Sequence, residues 1–168
     1  MGTEIWKVIY IASRQEKKVA MLLERDGIEC YLPLIKQLRV WTDRKKWIEK
    51  PLFNGYLFVK PEALKRDKIL SIPGVVKYLR YNGDDGYVSH AEIEIIRTLI
   101  SKGYDISEYD ETGIFEKGDK VKITSGPMKN YQGDILNLSG DKYAFLVLSN
   151  FGHAIKIKLP KEVLKKIE

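Results

Sequence analysis

The periodicity of apolar residues changes once along this 168-residue chain, and the change falls across a short acidic segment. Before it, strand-like runs alternate with helix-like ones. After it come only short strand-like runs at residues 120–124, 133–138, 143–148 and 154–159, punctuated by Gly126-Pro127, Gly140-Asp141 and Asn150-Phe151-Gly152. Strands at intervals of about ten residues with such turns predict a small β-barrel. The segment between, residues 105–115, carries four acids (Asp105, Glu108, Asp110, Glu111) and no base, and reads as a linker. The expected organisation is a domain over 1–104, an acidic linker over 105–115 and a barrel over 116–168.

In the first domain, residues 5–11 are apolar on both faces, as in a central strand. Ser13 and Glu16 have capping-box spacing, opening a helix lined by Val19, Leu22 and Leu23 and stopped by Gly27. Residues 28–35 form a strand, and Pro33 suggests an edge or a bulge. A basic hairpin follows over 36–50, then a strand over 55–60. Pro61 opens a helix carrying Leu64, Ile69 and Leu70, which Pro73-Gly74 breaks. A strand over 75–81, a turn at 82–86 and a short return precede a second capping box, Ser89 and Glu92. Ile93, Ile96 and Ile100 mark the core face of the last helix. This order predicts an α+β fold, an α/β sandwich with helices on a mixed or antiparallel sheet, followed by the barrel.

Residue chemistry argues against an enzyme. His90 and His153 are far apart, Cys30 is the single cysteine, and no metal-ligand spacing or phosphate-binding glycine loop occurs. Asp84 and Asp85, set between Gly83 and Gly86, read as turn residues. His90 reads as a solvated first-turn residue and Cys30 as a packing thiol. No catalytic residue, metal or cofactor is expected. No apolar run approaches membrane-spanning length, and the first residues lack a signal-peptide layout, so a cytoplasmic monomer is expected. The net charge of +6 favours anionic partners.

The informative features concern binding. The hairpin sets Arg39, Arg44, Lys45 and Lys46 beside Trp41 and Trp47. Cations neutralise phosphates and tryptophans stack on bases, but a solvated loop stapled by its own tryptophans has the same composition. Tyr56 and Phe58 alternate with Leu57 and Val59, and Trp6, Val8 and Tyr10 line one side of another apolar strand. Both sheet faces are therefore hydrophobic. One reading covers both; the other leaves one open to a protein partner.

Two stretches resemble a known family. Pro51-Leu52-Phe53-Asn54-Gly55-Tyr56-Leu57-Phe58-Val59 is similar to the signature of the NusG N-terminal domain. Residues 118–128, followed by Tyr131-Gln132-Gly133, resemble the KOW motif of its C-terminal domain, and the likeness extends to residues 6–10 and Ser149-Asn150-Phe151-Gly152. The resemblance implies a transcription elongation or antitermination factor. It would dock Tyr10, Phe53, Tyr56 and Phe58 on the clamp helices of the largest RNA polymerase subunit. The hairpin would touch non-template DNA. Met128, Tyr131 and Phe151 would face a KOW-domain partner, either Rho or a small-subunit ribosomal protein. An RNA-binding or ribosome-associated KOW protein is the alternative. Asn54 in place of proline and Met128 in place of an aromatic depart from the family pattern at the turn and at the partner surface, while the Trp41…Trp47 hairpin and the Glu49-Lys50-Pro51-Leu52-Phe53 lead-in resemble the specialised, operon-specific paralogues such as RfaH.

Overall fold

The structure is a computed structural model that describes residues 4–60, 65–109, 120–123, 129, 132–138, 141–148, 150–159 and 164–166. The chain divides into two units, residues 1–93 and 94–168, with the division inside the last helix.

The first unit is built on strand β1 (Ile5–Ile11). Helix α1 (Glu16–Arg25) follows, then the short β2 (Cys30–Tyr31), the hairpin β3 (Leu34–Val40) and β4 (Lys45–Pro51), and β5 (Tyr56–Val59). Helix α2 (Arg66–Ser71), β6 (Val75–Tyr78), the ribbon β7 (Arg80–Tyr81) and β8 (Asp84–Asp85), and β9 (Tyr87–Ser89) complete the series, and helix α3 (His90–Ser101) runs across the division into the second unit. The main sheet runs β2-β5-β1-β6, with β9 also on β1, and every pairing is antiparallel. As its two apolar faces predict, β1 is central. Pro33 follows β2, which lies at the sheet edge.

One face of this sheet packs Ile9, Ile11, Leu57, Val59 and Tyr78 with Val19 and Leu23 of α1 and Ile69 of α2. The other face buries Trp6, Val8, Phe58 and Val88. Each such side chain contributes about 1.5–3 kcal/mol by leaving water. Gly74 permits the close approach of α1, since a Cβ there would meet Val19 Cγ2 at 2.6 Å and its φ is +99°.

Several local expectations needed correction. The first capping box does not form: Gln15 is the N-cap and makes no side-chain cap bond. Glu16 is instead buried and accepts the backbone N–H of Gly55 at 3.1 Å. The second box forms fully, Glu92 N–H donating to Ser89 Oγ and Ser89 N–H to Glu92 Oε1, both at 3.1 Å. The strand expected over 28–35 is divided between β2 and β3, and that over 75–81 between β6 and β7. His90 is more than a solvated residue, because Trp6 Nε1 donates to its Nδ1 at 3.2 Å and the rings stack. Leu64 lies outside the described residues.

Asp85 does more than turn the chain. Its side chain is 14% exposed and bonds Arg66 at 2.8 Å, with Lys7 at 3.4 Å and Arg80 at 3.7 Å. Arg66 also lies 4.0 Å from the centroid of the Tyr78 ring, so one carboxylate ties α2, β1 and the β7–β8 ribbon together. The Arg66 hydrogen bond holds the Asp85 carboxyl below the usual carboxylate range.

The second unit contains β10 (Ile106–Tyr109), β11 (Lys120–Ile123), β12 (Gln132–Leu138), β13 (Asp141–Leu148), β14 (His153–Leu159) and β15 (Leu164–Lys166). They pair antiparallel in the order β10-β14-β13-β12-β11-β15, with β11 to β14 following one another as a meander. Leu148, Phe151, Ala154, Ile155 and Ile157 are buried. The expected linker begins differently: residues 106–109 are a strand on β14, because Ile106 finds burial opposite Ile157. Residues 110–115 lie outside the described residues.

Candidate functional site

Tyr10 and Tyr56 are cross-strand partners on β1 and β5, on the face that also carries Val8 and Phe58. Side chains directly opposite in an antiparallel pair are close enough to interact. Here the rings meet edge to face, with centroids 5.4 Å apart at 69°. Val8 and Phe58 are fully buried, whereas Tyr10 is 39% exposed and Tyr56 half-buried. One end of a hydrophobic face is thus open, and two phenol rings occupy it.

The lead-in to Tyr56 is held from two sides. Phe53 C=O accepts the Tyr56 N–H at 3.3 Å, closing a turn with Gly55 at φ +83°. A positive φ at the third position favours glycine, and Asn54 holds the second, where proline is suited but not required. Gly55 C=O accepts from Ile11 N–H at 2.7 Å, while its own N–H reaches Glu16. A Cβ on Gly55 would make only ordinary contact with Tyr10 Cε2 at 3.4 Å, so it is the positive φ, and not lack of space, that calls for glycine here. Strand, turn and helix converge on one tyrosine pair.

Phe53 and Phe58 are not on this surface. They are 1% and 0% exposed and pack edge to face with ring centroids 6.0 Å apart. Sequence reasoning missed Lys77, which is exposed on β6 opposite Tyr10. Its signal was cross-strand register, set here by a β-bulge near Tyr10/Ile11 that no local pattern announces. The open end therefore offers two phenols and an ammonium, the mix of apolar body and polar tip that suits an amphipathic protein surface.

The second constellation is the hairpin. Strands β3 and β4 form a sheet of their own, with Leu38 opposite Trp47, Arg39 opposite Lys46 and Val40 opposite Lys45. Leu52 N–H donates to Pro33 C=O at 2.8 Å, and buried Leu52 and Phe53 root the base. Arg39, Arg44, Lys45, Lys46 and Trp47 are all exposed, Trp47 at 65%. Trp41 N–H donates to Arg44 C=O at 2.8 Å across the tip, and the Arg44 guanidinium lies 5.1 Å from the Trp41 ring centroid. Trp41 accordingly helps hold the tip. Trp47 is the more exposed of the two hairpin rings.

In the second unit, Met128 and Tyr131 lie outside the described residues. Phe151 is placed inside rather than on the surface, 2% exposed and stacked on His153 at 4.2 Å. Cys30 is a packing thiol: burial, reinforced by Glu24 and Glu29, pushes its pKa up to about 12. No group of three or more potential metal ligands occurs among the described residues. No described helix is long and apolar enough to cross a membrane.

The NusG family model, described as transcription termination factor nusG, matches residues 4–97. The transcription termination/antitermination protein NusG of Chlamydia pneumoniae is 30% identical, covering 90% of this chain and 88% of its own. Its counterpart in Rickettsia bellii is 25% identical, covering 98% and 90%. Among solved structures, Thermotoga maritima NusG is similar in fold, with TM-score 0.57 and 24% identity over 100% of this chain and 99% of that one.

Proposed function

Because this chain belongs to the NusG family of transcription termination and antitermination factors, we propose that it rides on RNA polymerase through the Tyr10–Tyr56 surface. The observation that supports this most is the open end of an otherwise buried sheet face, where those two rings stand exposed. Aromatic side chains with a polar tip carry much of the energy of protein interfaces. The family resemblance supplies the partner, the clamp helices of the polymerase largest subunit. Phe53 and Phe58 act as buried packing that fixes the strand bearing Tyr56.

The exposed hairpin cations and Trp47 contact the non-template DNA strand in this reading. The second unit recruits a further factor, Rho or a small-subunit ribosomal protein, with Met128 and Tyr131 as contact residues and Phe151 packed inside its own turn. The role is non-enzymatic and cytoplasmic, and the two-tryptophan hairpin favours a specialised antiterminator. In vitro transcription by purified polymerase across a terminator tests this. Adding the protein should increase readthrough, and Tyr56→Ala should abolish the increase. Unchanged readthrough, with pausing also unaltered, would overturn the proposal.

A further inference from the structure

The acidic segment that reads as a linker ends on a strand edge. Residues 106–109 pair with β14 in the register Ile106↔Ile157, Ser107↔Lys156, Glu108↔Ile155 and Tyr109↔Ala154. Asp105 C=O extends the ladder by accepting from Lys158 N–H at 3.0 Å. Ile106 is 5% exposed against fully buried Ile157. Glu108 Oε1 lies 2.7 Å from His153 Nδ1, on the same side of the sheet. β13 occupies the other edge of β14, across seven register pairs. Without β10, then, β14 would present a row of open N–H and C=O groups backed by Ile155 and Ile157. Such an edge is a template for an added strand.

β10 is short, with four residues paired against the seven on the other side. Its charge also complements its site. Asp105 and Glu108 are acidic, while β14 carries Lys156, Lys158 and His153. We propose that the outer edge of β14 is a strand-addition site for an acidic, extended peptide of a partner protein, and that residues 106–109 occupy it in cis as a built-in competitor. The main-chain ladder supplies affinity and the side chains supply selection. A partner strand needs an aliphatic residue opposite Ile157 and a carboxylate within reach of His153. Binding then trades one strand for another and frees residues 106–109. The inference rests only on the second unit, so it stands or falls separately from polymerase docking.

The probe is a fluorescent peptide with the sequence of residues 104–110, Tyr-Asp-Ile-Ser-Glu-Tyr-Asp. It is titrated into the full chain, into an Ile106→Asp/Glu108→Lys variant that lifts the resident strand, and into the milder Glu108→Ala. Hydrogen exchange of the β14 amides is read in parallel. The opened variants should exchange faster along the outer edge, and the double variant should bind the peptide at least about tenfold tighter than the wild type. A peptide with both aspartates and the glutamate changed to lysine should not bind. Equal binding to wild type and variants would overturn the proposal. So would an opened edge, shown by exchange, that takes no peptide. If the double variant fails to fold, Glu108→Ala decides: faster edge exchange with a measurable gain in binding supports the site, and no change in either refutes it.

Discussion

At the scale of single residues, two carboxylates, one buried and one half-buried, carry the meaning that sequence spacing misassigned. Glu16 has capping-box spacing from Ser13, yet it bonds Gly55, 39 positions away. Nothing local distinguishes the two uses, because the competing donor comes from another strand. Asp85 likewise reads as a turn residue and serves as the acceptor of a three-cation cluster. Asp85→Asn should cost about 1–2 kcal/mol at neutral pH, since charged hydrogen bonds exceed neutral ones and Arg66 is partly solvated. The sign with pH follows from the lowered carboxyl. The unfolded chain takes up its proton at about pH 4, the folded chain at lower pH. The stabilisation is therefore whole above that range and is lost as pH falls through the folded value. Urea denaturation at pH 7 and pH 3 should show the gap between wild type and D85N narrowing in acid. A constant gap would contradict the charge-based account.

At the scale of elements, legibility followed how local the determining interaction was. The box of Ser89 and Glu92 was readable because donor and acceptor lie within one turn of α3. β1 was readable because an apolar run on both faces fits only the middle of a sheet. β10 was not, because an acidic stretch becomes a strand only when Ile106 meets Ile157, a contact at long sequence distance. The hairpin was legible in composition, but not in the division of labour between its tryptophans. Trp41 lies against Arg44 at the tip, whereas Trp47 is the more exposed ring. Replacing Arg44, Lys45 and Lys46 with glutamine should weaken photocrosslinking to non-template DNA in an elongation complex severalfold. Its salt dependence should flatten too, as fewer phosphates are neutralised. Polymerase docking should be unaffected. Crosslinking at the wild-type level would mark the segment as a solvated loop.

At the scale of the whole molecule, the proposed function gives each of the two units its own partner. The first joins an open tyrosine pair and a cationic hairpin through one short stretch: Leu52 and Phe53 root the hairpin, and Gly55 places Tyr56. That economy explains why residues 51–59 carried the family resemblance so clearly, since most of them answer a geometric demand. The candidate site itself was half legible. Of the four residues expected there, Tyr10 and Tyr56 reach the surface while Phe53 and Phe58 are buried, and register sets exposed Lys77 opposite Tyr10. Aromatic residues on a strand look alike in sequence whether they face a core or a partner. Only the packing of the opposite layer separates them. The most direct measurement is the affinity of the purified chain for core RNA polymerase, wild type against Tyr10→Ala/Tyr56→Ala. Circular dichroism would verify that the variant is folded. The tyrosine surface predicts a dissociation constant raised at least about tenfold, as loss of interface aromatics commonly produces. A folded double variant that binds polymerase as tightly as wild type would contradict it.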